Sequence, residues 1–333
     1  MVENPVREGV AQDGVGPVGL GVDAAKGGSA QLWLGFVALA LVFFLSFTHL
    51  FMYFWQRWTE EHGPFGYGYF VPPCVGYLLW ANRKEIAAAP ARPGKKIGWV
   101  VVGGLVLIQL VGLIANVTFI QSFALIGLLV SIPYCLWGPD KFKFLWAPML
   151  YFATMVPWPG QLTNPILFKM QHISIVLAFK TLSVLGLGPV VDGTVIGFND
   201  NLFHFEVAPA CAGLTILFPT VACSILTVMM LEAALWRKLL YVCLSIPVSI
   251  LTNAGRISLV GIIGYKGNED LANRLHDASG FVGVIICVIV LSIIGAFIGC
   301  AKYKDQFMPS WAKEDHDKPE EGQTTEGQDE RTH

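Results

Sequence analysis

The chain has 333 residues, 54% hydrophobic and only 14% charged, with a mean hydropathy of +0.57, whereas a soluble domain is about one quarter charged. A formal net charge of −2, without a basic stripe or basic–aromatic alternation, argues against a nucleic-acid partner. Seven cysteines, odd in number and without a CxxC pair, argue against a disulfide framework or a zinc site, and no cofactor is expected.

In chain order, residues 1–30 are rich in Gly, Ala and Val without apolar periodicity and read as a flexible leader. An apolar run at 31–55 is long enough to span a bilayer, and no small-residue cleavage site marks it as a signal peptide. The stretch "EHGPFGYGYFVPPCVGYLLWANRKEI" is short and broken by Gly and Pro, so a second span at 67–81 is expected to be irregular or partly re-entrant. Further spans are expected at 97–115, 119–137 and 144–157. Residues 158–207 interrupt the pattern. "LTNPILFKMQHISIVLAFKTLSVLG" predicts an amphipathic helix on the membrane surface, and "PVVDGTVIGFNDNLFHFEV" predicts two or three short strands around tight turns. Spans at 211–231, 239–263 and 279–300 complete a count of about eight. The expected fold is therefore an all-α polytopic membrane protein with a small extracytoplasmic insertion of amphipathic helix and short strands. Its membrane domain runs over 31–301, and a charged, disordered tail covers 302–333.

Basic residues set the expected orientation. With eight spans, sixteen of the 22 Lys and Arg fall on one side, including Arg83, Lys84, Arg92, Lys95, Lys96, Arg237 and Lys238. That side should be cytoplasmic and hold both termini. Arg57, Lys169, Lys180, Lys266 and Arg274 fall on the other side.

Three residues stand out chemically. Arg256 is the one arginine placed inside a span, and Asn253 three residues earlier shares its helix face. A guanidinium there either snorkels to the interface or binds an anion facing a wet cavity. Cys211 follows Pro209, which suits the first turn of a helix, where free N–H groups and the dipole favour a thiolate. Gly213 would let a substrate backbone approach closely. Packing alone is the competing account of Cys211, and Cys223, twelve residues deeper, is its expected inert control. His276 stands at the outer entrance of the last span, where solvation alone also accounts for a histidine. Together Cys211, Arg256 and His276 form a sufficient set for acyl transfer: nucleophile, anion binder and base.

Ordered motifs add a resemblance. "HGPFGYGYFVPPCVGYLLWANR", "MVPWPGQLTNPI", "LGLGPVVDGTVI", "FEVAPACAGL", "SIPVSILTNAGRI" and "LHDASG" are similar to successive segments of the exosortase/archaeosortase family of membrane-embedded sorting proteases. The resemblance implies an eight-span fold and a cysteine protease or transpeptidase. Its partners would be the lipid bilayer and exported proteins ending in a short motif (often Pro-Glu-Pro-like), a membrane span and a basic cluster. Motif matching places the catalytic Cys, Arg and His at Cys211, Arg256 and His276, while Gly213 and Asn253 match motif positions without an assigned role. Ala212, Thr215 and Pro209 depart from the pattern, which puts the recognised motif in question. The competing classes are a non-enzymatic component or transporter of exopolysaccharide assembly, and a purely structural bundle, for which the Gly295–Gly299 pair is a weak packing signal.

Overall fold

The structure is a computed structural model that describes residues 23–61, 63–198, 203–207, 213–267, 269–300 and 302–307. The chain divides into two compact units, Met1–His49 and Leu50–His333. The described part of the first belongs to helix α1 (Asp23–Trp58), and everything below concerns the second.

Five helical segments are long and apolar enough to cross a membrane: Ile97–Ile114, Thr118–Met155, Gly160–Val184, Leu235–Tyr265 and Gly280–Phe297. Their outer surfaces keep large apolar side chains in contact with the surroundings, to 86% for Ile114 and 87% for Phe297. Apolar surface on this scale suits lipid rather than water. The protein is a multi-pass membrane protein; among the described residues five helices qualify as candidate spans by length and composition, against the expected eight.

The difference in count has local causes. Helix α2 (Val71–Ala81) has eleven residues, a rise of about 16 Å, roughly half a hydrocarbon core. A short 3-10 turn at Gly68–Phe70 leads into it, and Pro72 and Pro73 fix its first turn, so the irregularity expected around 67–81 is present. A six-residue helix α3 (Arg83–Ala88) follows, then α4 (Ile97–Ile114). The run expected as a span at 119–137 and the first half of that at 144–157 lie in one helix, α5 (Thr118–Tyr151), which a 3-10 turn at Phe152–Met155 extends. It is broken at Gly138, where φ is +73° and a Cβ would collide with the Arg92 carbonyl; Pro139 follows.

Helix α6 (Gly160–Val184) differs from the surface helix expected here. It buries Met170, Gln171, Ser174, Ile175, Ala178 and Leu182 along one stripe, while Lys169, His172 and Lys180 stay exposed. The pattern is amphipathic, yet the buried stripe packs along α8 (Leu235–Tyr265) with the two chains parallel. Met170 groups with Ile250, Ser174 bonds Asn253, and Leu182 adjoins Gly261. Its polar stripe residues are internal hydrogen-bond partners, and twenty-five residues give it spanning length.

The expected strands form one antiparallel sheet, β1 (Pro189–Asp192), β2 (Val195–Phe198) and β3 (His204–Glu206), in that order. Asp192 pairs with Val195, leaving Gly193-Thr194 as a two-residue loop with Gly193 at φ +60°. Ile196, Phe198 and Val207 join Ile175, Leu182 and Ile257 in one buried cluster, so the sheet caps one end of the α6–α8 pair.

Helices α7 (Leu214–Met230), α8 and α9 (Glu269–Phe297) form the rest of the core. They pack through Ile216, Tyr241, Val248, Cys287 and Leu291. After α9 the chain stays ordered through residues 302–307, which the sequence reading places in the tail. Tyr303 bridges Leu231, the Glu232 N–H donates to the Lys302 carbonyl, and Phe307 is buried against Leu78, Ala81 and Met230.

Candidate active site

The segment carrying Cys211 enters α7 at the sheet end of the bundle. Cys211 and its neighbours 208–212 lie outside the described residues, but both flanks of that segment are described. On the upstream side, the Val207 N–H donates to the Thr194 carbonyl at 2.9 Å, and Gln171 Nε2 donates to the Val207 carbonyl at 2.5 Å. On the downstream side, Gly213 begins α7 at φ +96°, a conformation that L side chains rarely adopt. A Cβ at Gly213 would stand 3.0 Å from Asn253 Nδ2. Asn253 is fully buried, and its Nδ2 donates to Ser174 Oγ at 3.1 Å.

Gln171 and Ser174 lie three residues apart on one face of α6. Gln171 bonds the upstream flank directly, whereas Ser174 bonds Asn253, which packs closely against Gly213 on the downstream flank. A buried amide or hydroxyl in an apolar helix is costly unless hydrogen-bonded, and the Gln171 bond also fixes the Val207 backbone.

Arg256 is half-buried one turn past Asn253 on α8. The α8–α9 pair is antiparallel, with the Cys287 thiol donating to Thr252 Oγ1 at 3.3 Å. A Cβ at Gly283 would meet Ile216 Cδ1 at 2.7 Å and Thr252 Cγ2 at 3.7 Å, so α7, α8 and α9 converge at that level. From there, four residues of α8 lead to Arg256, a rise of about 6 Å, and seven residues of α9 lead back to His276, about 10 Å. Ile216 is itself under two turns from the Cys211 segment. All three elements thus run from one crossing point toward the sheet end. Only the helical backbone of His276 is described, and its side-chain contacts lie outside the described residues, as does any contact with Cys211.

Two helpers, Gln171 and Ser174, escape a motif-based reading. Their signal is present in "KMQHIS": a polar pair at helical spacing inside an apolar run.

Beneath the α7 entrance lies a half-open cavity of about 400 Å³. It runs down α7 past Thr215, Pro219 and Cys223 and is walled by α2, α5 and α9. Tyr67 and Tyr151 line it, but their hydroxyls are already committed, donating to the Thr154 carbonyl at 2.7 Å and the Ala222 carbonyl at 3.2 Å.

Fold and site define a polytopic helical membrane protein with a polar cluster set in apolar helices at one end of the bundle. The family model for transmembrane exosortases matches residues 55–293, well over half of the chain, and the chain belongs to that family. No curated protein and no solved structure matches it.

Proposed function

We propose that this chain is a membrane-embedded cysteine protease or transpeptidase that cuts a C-terminal sorting signal from exported proteins. The observation that carries the reading is the pair of buried amides at the flanks of the Cys211 segment: Gln171 bonded to Val207, and Asn253 packed against Gly213 one turn from Arg256. Family membership supports the same reaction class.

The mechanism needs three side chains and no cofactor. His276 accepts the Cys211 proton, and the thiolate attacks the scissile carbonyl. Arg256 holds the negative charge on the tetrahedral oxygen. The C–N bond then breaks, the leaving amine takes the proton from His276, and the acyl group remains on sulfur as a thioester. Water or an acceptor amine attacks that thioester, giving its proton to His276, and the thiolate departs.

The substrate is a membrane-anchored exported protein whose signal combines a short motif, one apolar span and a basic cluster. The basic-residue distribution supports a cytoplasmic (inner) membrane location with the sheet end outside and both termini inside. Composition supports a leader over 1–30 and a membrane domain over 31–301, with residues 302–307 packed onto that domain ahead of the rest of the tail.

Replacing the nucleophile tests this directly. Cys211→Ala should accumulate at the normal level in the membrane while C-terminal processing of the cell's exported precursors stops. Precursors that still mature in that strain would overturn the reading.

A further inference from the structure

The cavity beside α7 has a position, a chemistry and a size that the reaction above leaves unused. We propose that it seats the substrate residues immediately on the membrane side of the cut, as a short apolar segment of two or three side chains. The proposal rests on the sorting-protease reading of the site.

Position comes first. The cavity begins at Thr215, two residues past Gly213, and continues down α7 to Leu226. It therefore extends from the Cys211 entrance toward the opposite end of the bundle. A precursor whose scissile bond lies at that entrance, and whose next segment is a membrane span, has to continue in that direction.

Chemistry agrees. None of the described residues lining the cavity is charged. The two tyrosines spend their hydroxyls on backbone carbonyls and offer ring faces. Tyr69, Phe70 and Phe281 line its walls with exposed rings, at 46%, 57% and 73%, so the cavity opens through an aromatic rim of the kind lipid tolerates.

Size bounds the occupant. The cavity offers about 400 Å³, room for a few side chains of a precursor.

Gly280 supplies an independent sign. It lies within α9 and lines the cavity, yet a Cβ there would meet no atom within 4 Å. A helix-interior glycine lowers stability relative to alanine, and no described neighbour fills the space it leaves; of the helix glycines with such open space (Gly76, Gly103, Gly104, Gly255 and Gly280), Gly280 is the one that lines the cavity.

The test places the photo-cross-linking residue p-benzoylphenylalanine at Phe281 in the full-length chain carrying Cys211→Ala, in the membranes of its own cell. Irradiation should join it to exported precursors, with adducts within about four residues on the membrane side of the cleavage point fixed by the mature C-terminus. Adducts only to lipid, only on the far side of the cut, or to no precursor would overturn the proposal. Processing that persists with Cys211→Ala would instead sink the underlying reading. In the chain with Cys211 intact, Gly280→Leu should slow processing at least tenfold and Gly280→Ala less than twofold, at equal membrane levels. Equal rates for the two variants would count against a filled cavity.

Discussion

At the Gly213 end of α7 the chain meets single polar side chains reaching out of apolar helices: Gln171 bonded to Val207, and Asn253, itself bonded to Ser174, packed against Gly213. At the Met230 end it is held by backbone pairing and an aromatic plug. The Lys304 N–H donates to the Met230 carbonyl at 3.0 Å, Lys304 Nζ donates to the Met229 carbonyl at 2.8 Å, and Phe307 is buried between α2 and α7. A buried hydrogen bond adds only about 1 kcal/mol net but is expensive to leave unmade, so it selects one geometry. A buried aromatic ring adds stability with little directional demand. One helix thus has an end built for placement and an end built for strength.

Substitutions should separate the two. The largest effect is expected at the placement end: Arg256→Gln should lower processing by on the order of 100- to 1,000-fold. The protein should keep its membrane level and its melting temperature in detergent. A comparable loss of melting temperature would make Arg256 a structural residue and erase the contrast. Next, Phe307→Ala should destabilise the solubilised protein by about 3 kcal/mol, read as a lower melting temperature, with processing per folded molecule unchanged. A specific loss of rate would mean that the strong end also sets the site.

Gly213→Ala should cost about 1–2 kcal/mol, because alanine resists the left-handed conformation and its Cβ would press on Asn253. The rate should fall further than the stability, since the displacement falls at the flank of the Cys211 segment. Equal, small effects on both would show that the segment tolerates movement.

The smallest effect is a pH dependence at the strong end. Burial, reinforced by Lys238 and opposed by Glu232, holds the Lys304 ammonium below the ordinary lysine range. The charged form is penalised only when the segment is docked. Docking is therefore weakest below the depressed value, tightens as pH rises through it, and levels off above the ordinary lysine value. Melting temperature should rise slightly over alkaline pH, and Lys304→Gln should flatten that slope.

Much of this architecture was legible in the residues. Apolar runs located the long helices, Pro72-Pro73 announced the short α2, and Asp192-Gly193 marked a hairpin. What stayed hidden depends on partners distant in sequence. The stripe of α6 suits a membrane surface as well as it suits α8, and only packing decides between them. "KYKDQF" carries four charges or amides in six residues and resembles a tail, because its two aromatic residues find their partners only in the folded protein. For the site, motif order located Arg256 and Asn253, whereas Gln171 and Ser174 lie outside those motifs and became visible through their bonds.

Gln306 donates to Asn82 Oδ1 at 2.6 Å across 224 positions of chain. Polypeptides are made from the N-terminus at about 5–20 residues per second, so α2 waits roughly 10–45 seconds for this partner. During that interval Leu78 and Ala81 lack the ring of Phe307. A copy whose synthesis stops before residue 302 never acquires that ring, nor the Tyr303 and Lys304 contacts at the end of α7. The packing of α2 is therefore finished only after all the helices of the core have been made.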